Sequence, residues 1–492
     1  MTKPNLIFIL SDDHAPHAIS AYGSRVNKTP HIDRIAHEGA LLESMFCTNS
    51  ICTPSRASIL TGTYSHVNGT PGIFAEFDYR VPTFVAGLRE HGYATALYGK
   101  WHLGESASAQ PRDFDDWLVF PGQGAYIDPQ MIGPAGERTM NGYATDIITD
   151  LALDWMTTRD TERPFALFIH HKAPHAPWIP DDKHLDMYPV GSIPEPETLH
   201  DDHRTLGAWS DRTTMSIADD LQERHIKEPM PAGLEGPECR EARASWKYQR
   251  YMRDYLQVIQ AIDDNVGRVL NTLDATGDAQ NTIVVYMSDQ GFFLGDHGWY
   301  DKRLMFEQSL QMPALIRWPA GIAPDTAVSD ILTNVDIAGT LLDLCGIDAA
   351  SCLPASQGRS FAPQLRGESV TDWPDAMYYR YWEHDDPNHH VPAHYGLRTR
   401  THKLICYYND PLGVPGSSDR RFPIEWELYD LEEDPQELQN VIDDPSRAGV
   451  LLALRERLAQ IQAHYDDTPY DGPDTPHPDW GEGVQQFSQS PK

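Results

Sequence analysis

Several short stretches of the chain gather residue types that together could hold an oxyanion against a hard cation. Asp12-Asp13 and Asp289-Gln290 offer carboxylate and carboxamide oxygens from two distant points of the sequence. That donor set, with no cysteine or histidine required, suits Ca²⁺, with Mg²⁺ as the alternative, rather than zinc. Arg56, Lys100, His102, His175 and Lys302 supply the opposite charge, and Lys172 and His297 lie in the same segments. The chain has ten lysines, and three of them (Lys100, Lys172 and Lys302) fall in these stretches, which scattered solvation would not favour. A dication ringed by Arg, Lys and His describes a pocket for a compact anion such as sulfate or phosphate.

The stretch Ile51-Cys52-Thr53-Pro54-Ser55-Arg56 adds a nucleophile precursor. Pro54 suits a first helical position, because its missing N–H would have no intrahelical partner. Cys52 is then expected just ahead of a helix N-terminus, where orphan N–H groups favour an anion, with Arg56 about one turn inside. Taken alone, the stretch is equally compatible with a small buried structural cysteine.

The elements that must position these residues follow an α/β pattern. Asn5 to Leu10, Tyr93 to Tyr98, Phe165 to Ile169 and Asn281 to Met287 are apolar runs of the kind buried on both faces of a parallel sheet. Each delivers its polar residues just past its carboxyl end, where open α/β sheets bind ligands. Helices are expected near Pro30 to Gly39, Pro82 to His91, Tyr143 to Thr158, Arg243 to Leu273 and Asp336 to Cys345, giving a mostly parallel sheet sandwiched by helices over residues 1–370. Within it, 180–242 is polar and aperiodic and reads as a long surface excursion. Aromatic-rich strands in short succession and a helix near Ser446 to His464 predict a smaller α+β domain on an antiparallel sheet over 371–465. A Pro/Asp-rich tail spans 466–492.

The net charge of −33 argues against nucleic-acid and anionic-membrane partners. No stretch approaches transmembrane length, and no signal segment is evident, so the expected address is cytoplasmic. Six cysteines without metal spacing fit a reducing compartment, and no structural disulfide is expected.

Cys52-Thr53-Pro54-Ser55-Arg56 with Leu60-Thr61-Gly62 resembles the signature of the type I sulfatases, the formylglycine-dependent branch of the alkaline phosphatase superfamily. Gly99 to Gly104, Lys172 to Pro177, Ser288 to Gly291, Asp301-Lys302 and Trp426 to Asp430 match that family in order. The resemblance implies an alkaline phosphatase-like fold and hydrolysis of sulfate monoesters. Cys52 would be converted to formylglycine by a formylglycine-generating enzyme, and one hydroxyl of its hydrate would attack sulfur. His102 would take the proton of the other hydroxyl as sulfate leaves. Asp12, Asp13, Asp289 and Gln290 would hold the metal, although many relatives carry Asn or His where Gln290 stands. Arg56 and Lys100 would hold the diol, and His175 and Lys302 would grip sulfate.

Gly122 to Tyr126, Ser288 to Gly298 and Val391 to Arg398 are similar to sulfatases acting on sugar sulfates, including N-acetylglucosamine-6-sulfatase-like enzymes. His389, His390, His394 and Arg398 are then candidates for the leaving-group side. Two rival functions remain open at this point: a phosphonate monoester or phosphodiester hydrolase of the same superfamily, and a non-catalytic sulfated-glycan binder with unmodified Cys52. The tail leaves room for a homo-oligomer.

Overall fold

A computed structural model describes residues 3–476; the expected tail from 477 onward lies outside the described residues. Its main body is a ten-stranded sheet with helices on both faces. The strands are β1 (Asn5–Ser11), β2 (Ala40–Leu42), β3 (Ala94–Lys100), β4 (Asp116–Phe120), β5 (Gln130–Gly133), β6 (Gly136–Thr139), β7 (Phe165–His170), β8 (Thr282–Ser288), β9 (Ala314–Arg317) and β10 (Thr326–Val328). They lie in the order β10-β2-β9-β8-β1-β7-β3-β4-β5-β6. The central run β8-β1-β7-β3-β4 is parallel, whereas β9 and the β5-β6 hairpin pair antiparallel.

The seven helices that matter for the layers are α1 (Pro30–His37), α2 (Cys52–Thr61), α3 (Phe84–Glu90), α4 (Ala144–Thr158), α5 (Arg240–Thr276), α6 (Asp336–Leu344) and α7 (Ala448–His464). Successive strand side chains point to opposite faces. On β1, Leu6, Phe8 and Leu10 join the core under α2, α3 and α6, whereas Ile7 and Ile9 join the core under α1, α4 and α5. Burial on both faces is why β1 reads as an unbroken apolar run. Helix α5 turns Tyr251, Tyr255, Ile259, Ile262, Val266 and Val269 inward along its length.

Four further strands form an antiparallel meander: β11 (Ala376–Tyr381), β12 (His394–Thr399), β13 (His402–Tyr407) and β14 (Glu425–Asp430). Tyr378, Leu397, Leu404 and Leu428 pack under Leu454 and Leu458 of α7. Met377, Tyr379, Tyr381, Ile405 and Tyr407 face the other way and are continuous with the core of the large sheet. The fold is therefore the expected mostly parallel α/β sandwich with a smaller antiparallel C-terminal unit.

Three details depart from or sharpen the expectation. Helix α2 begins at Cys52 itself, with extended Ile51 as its cap, so Pro54 is its third residue and Cys52 its first. The polar excursion is anchored: Trp209, Met215, Ile217 and Leu221 are buried, and Trp209 stacks on Tyr407 at 4.6 Å while donating to Glu427 at 2.8 Å. Residues 466–476 begin docked, with Asp467 buried and accepting from Tyr378 and, at 2.7 Å, from Arg380. No described helix is long and apolar enough to cross a membrane.

Candidate active site

Strand register assembles the site. Ser11 pairs with Ser288 and Leu10 with His170, so β1, β8 and β7 end at one level and release Asp12-Asp13, Asp289-Gln290 and the His170-to-His175 segment side by side. Strand β3 joins them through Gly99 opposite His170. Gly99 has φ +110°, and a Cβ there would sit 1.9 Å from the His170 carbonyl oxygen, so only glycine lets Lys100 arrive at this height.

Asp12, Asp13, Asp289 and Gln290 are all buried, and one carboxylate oxygen from each of the three aspartates lies within 4.8 Å of the others. The Asp13 N–H donates to Asp289 at 3.2 Å, and the Gln290 amide donates to Asp13. Two oxygens, Asp12 Oδ1 and Gln290 Oε1, are buried without a hydrogen-bond partner. Burying unsatisfied acceptors is costly. An all-oxygen set with two orphaned acceptors fits a hard divalent cation, which these four residues could hold.

Cations surround the carboxylates. Lys100 pairs with Asp12 and also donates to Gln123; Lys302 pairs with Asp13; Arg56 Nε binds Asp289 at 2.9 Å and Nη1 binds the Lys100 carbonyl at 2.9 Å. Arg56 Nη2 has no hydrogen-bond partner. His175 Nε2 lies 3.7 Å from Asp13, and His102 Nδ1 lies 3.3 Å from the Thr53 hydroxyl, one residue from Cys52. Lys172 donates to the Gln123 and Ala176 carbonyls, each at 3.1 Å. The Ser55 hydroxyl donates to the Asp289 carbonyl and accepts from Asn334 at 2.9 Å, which ties α2 to the end of β8.

Burial would raise Asp12, but Lys100, His175, Arg56 and Lys302 outweigh it and hold its carboxyl well below the usual range. Burial, with Asp12 adding to it, pushes Asp289 up to about 7. Burial and neighbouring Lys100 hold His102 and His175 well below the usual imidazole range, so both are neutral bases. Lys172 falls to about 7 through burial and the charge of Lys100. Burial would lower Lys302, yet Asp13 and Asp301 more than compensate and keep it charged. Burial pushes the Cys52 thiol up, against the pull of Lys100 and Lys302.

The site opens into a cleft lined by Thr53, Phe74, Glu76, His102, Glu105 and Phe120. On the side of Lys302, Asp301 bridges Arg303 and the His389 imidazole (3.4 Å), and His389 also meets the Asp386 carboxylate at 3.0 Å. Arg303 Nε and Asp386 Oδ2 are buried without partners. Asp13, His102, Asp301 and Arg303 all have left-handed backbone (φ 67°, 57°, 78° and 89°), a conformation that non-glycine residues hold only where the surroundings enforce it.

The other expected residues are placed less centrally. His297 is fully buried, hydrogen-bonded to Asp201 at 3.2 Å and stacked on Trp299 at 5.1 Å. His390 pairs with Asp385 at 2.9 Å; His394 is enclosed by Tyr379, Tyr381 and Tyr407; Arg398 pairs with Glu307 at 2.8 Å. Of the four second-domain candidates, His389 alone contacts a residue adjoining Lys302. Arg303, Asp386, Glu76 and Glu105 were not singled out by sequence. Arg303 follows Lys302 directly, which was a signal; the other three have none that is local.

A parallel sheet with a helix that starts at Cys52, three clustered aspartates and a ring of cations at its carboxyl edge suits a hydrolase centre for an oxyanion ester. Comparison then fixes the family. The sulfatase family model matches residues 4–347, and the model for the C-terminal region of N-sulphoglucosamine sulphohydrolase matches residues 295–464. The chain belongs to the sulfatase family and is an enzyme of that class. It is 38% identical to the N-acetylglucosamine-6-O-sulfatase of Bacteroides thetaiotaomicron, over 96% of this chain and 88% of that protein. A solved structure of a relative in complex with its substrate D-glucosamine-2-N,6-O-disulfate superposes with a TM-score of 0.85 and 38% identity, covering 94% of this chain and 98% of that one. A phosphonate monoester hydrolase of Agrobacterium radiobacter shares the fold at a TM-score of 0.74 and 20% identity, covering 97% of this chain and 100% of the other.

Proposed function

We propose that this sulfatase removes the 6-O-sulfate of N-acetylglucosamine-type or glucosamine-type sugars, using a formylglycine made from Cys52 and a divalent cation held by Asp12, Asp13, Asp289 and Gln290. The observation that carries the reading is the buried oxygen cluster with two orphaned acceptors, set against Arg56, Lys100 and Lys302. The 38% identity to an N-acetylglucosamine-6-O-sulfatase across most of both chains supports the sugar assignment.

The cation, Ca²⁺ or Mg²⁺, would supply positive charge beside position 52 and the sulfate oxygens. Formylglycine, as its hydrate, supplies a hydroxyl nucleophile for sulfur. The residues of the chain do the rest. Arg56 Nη2, 3.9 Å from Asp12 and without a hydrogen bond of its own, can hold a diol oxygen, and Lys100 anchors Asp12 beside it. His102 is neutral and sits on the open side, the correct state to accept the second diol proton. Lys302 stays charged to grip sulfate. His175 lies 3.7 Å from Asp13 on the same side, where the negative charge of a bound ester would favour its protonated form and let it protonate the departing alcohol. The leaving sugar occupies the cleft of Phe74, Glu76, Glu105 and Phe120, and the unpartnered polar atoms of Arg303 and Asp386 offer hydroxyl recognition.

The test is a desulfation screen over defined sugar sulfates with protein coexpressed with a formylglycine-generating enzyme. N-acetylglucosamine-6-sulfate is expected to exceed nitrophenyl sulfate and phenylphosphonate esters in kcat/KM. Preference for the phosphonate ester overturns the assignment. Peptide mass spectrometry reports the maturation, because formylglycine is lighter than cysteine; unmodified Cys52 together with sulfate-ester turnover would refute the nucleophile.

A further inference from the structure

The C-terminal sheet reaches into the catalytic centre through one hydroxyl. Tyr379 on β11 is fully buried, and its hydroxyl donates to the carbonyl of Arg303 while accepting the Ser50 N–H at 3.1 Å. Arg303 directly follows Lys302, and Ser50 lies two residues before Cys52. Neither backbone segment has a helix or strand to hold it: Ser50 is in the bend ahead of α2, and Arg303 sits at φ 89° in the loop after Asp301. A left-handed arginine persists only where its surroundings over-determine it.

The same loop is braced further along. The Glu307 N–H donates to Glu437 at 2.8 Å, and the Glu307 carboxylate pairs with Arg398 at 2.8 Å and with Lys403 at 2.9 Å. The Ser309 carbonyl accepts the Ser50 hydroxyl at 2.8 Å and the Gly291 N–H at 3.0 Å. Residues 302–309 therefore lean on the C-terminal sheet on one side and on the Ser50 and Gln290 segments on the other. The Ser50 hydroxyl ties the two segments directly at Ser309, and the Tyr379 hydroxyl joins them again nearer the site, between the Ser50 N–H and the carbonyl of Arg303 beside Lys302.

We propose that Tyr379 is a positioning residue for the reaction: its hydroxyl sets the spacing between position 52 and Lys302, so the C-terminal sheet is part of the catalytic apparatus. The inference rests on the functional reading above. Tyr379→Phe keeps the ring against His394 and removes only the oxygen, leaving a buried N–H and a buried carbonyl to find other partners. The adjacent Tyr378 supplies a matched control. Its side chain faces the opposite side of the sheet, where its hydroxyl donates to Asp467 and accepts from Gln462 at 3.3 Å.

Three measurements on matured full-length Y379F, Y378F and wild type decide the matter: kcat and KM on the best sulfate ester at a temperature well below melting, Tm, and inorganic sulfate affinity by calorimetry. Y379F is expected to lose roughly tenfold in kcat and to bind sulfate more weakly. Y378F is expected to lower Tm with the kcat and sulfate affinity of wild type. Wild-type kcat and sulfate affinity in Y379F, or an equal kcat loss in both variants, overturns the proposal. Should wild type desulfate no ester, the functional reading fails, and calorimetry still judges Tyr379: equal sulfate affinity in Y379F and wild type, or none in either, overturns it.

Discussion

Stripping and restoring the divalent cation should move the melting temperature of this chain by an amount that Gln290 controls. Asp12, Asp13 and Asp289 are fully enclosed with ligand oxygens within 4.8 Å of one another, and Asp12 Oδ1 and Gln290 Oε1 have no hydrogen-bond partner. A ligand that binds only the folded state at 1,000 times its Kd stabilises it by about 4.1 kcal/mol. Unfolding entropy of about 2.1 cal/mol/K per residue makes about 1 kcal/mol/K for a chain of 492 residues. The expected rise in Tm at saturating Ca²⁺ or Mg²⁺ is therefore about 4 °C.

Gln290→Ala removes one neutral oxygen and leaves the three carboxylates. A tenfold loss of affinity is about 1.4 kcal/mol, so at the same cation concentration the variant should gain only about 3 °C or less. Comparing each protein with and without cation cancels whatever the substitution does to the metal-free fold. The assay is scanning calorimetry on chelator-treated protein, titrated with CaCl₂ and with MgCl₂, together with direct Kd values by titration calorimetry. A wild-type Tm indifferent to both ions refutes the metal site. A Gln290→Ala Kd equal to wild type refutes ligation by Gln290 and leaves the aspartates as the site.

Cys52→Ala should fold with a near-wild-type Tm, since a small side chain in the first turn of α2 is lost, and should release no sulfate in a sensitive turnover assay; activity near wild type would refute a nucleophile at this position. Glu383 makes a pH-dependent contribution. Burial, with Asp386 adding to it, raises its carboxyl from 4.5 to about 7, so its contribution is present below pH 4.5 and is lost as pH rises through 7. Glu383→Gln keeps an acceptor for the Ile73 N–H, and its advantage over wild type should grow by about 3 kcal/mol, or about 3 °C in Tm, between pH 4.5 and pH 8; a pH-independent difference in Tm would refute the shift.

Much of the site was readable because its residues sit immediately past apolar runs. The uninterrupted strands Asn5–Ser11, Phe165–His170 and Thr282–Ser288 announce a two-sided sheet, and the candidate site residues follow at the carboxyl end of each. What sequence could not supply is who lies beside whom. Strand order, the antiparallel Ala314–Arg317 and the Gln130–Thr139 hairpin depend on pairings between distant segments. The start of α2 moved from Pro54 to Cys52 because the extended backbone of Ile51 ends the preceding segment, a matter of dihedral angles rather than residue type. Tyr379 reads as one more aromatic in a strand; its significance comes from apposition to Ser50 and Arg303. The polar stretch 180–242 looked like solvent-facing loop because a few buried anchors, Trp209 above all, are diluted among many Asp, His and Pro residues.

The charges in the enclosed centre show how the proposed anion site could exist in a chain of net charge −33 and why it would call for a cation. Arg56, Lys100 and Lys302 are matched by Asp12, Asp13 and Asp289, each cation paired with one or more of these carboxylates. Fully ionised, the three positive and three negative groups cancel, and their contacts are made with one another rather than with a ligand. A divalent cation among the carboxylates would break this balance: it would take over the neutralisation of the aspartates and leave the Arg and Lys charges for an oxyanion. Sulfate binding should then be conditional on the metal. Titration calorimetry should show inorganic sulfate binding to protein replete with Ca²⁺ or Mg²⁺ and a loss of at least roughly tenfold in affinity, about 1.4 kcal/mol, after chelation. Equal sulfate affinity in the two states would mean that the cations hold the anion without help, and the charge argument would fail.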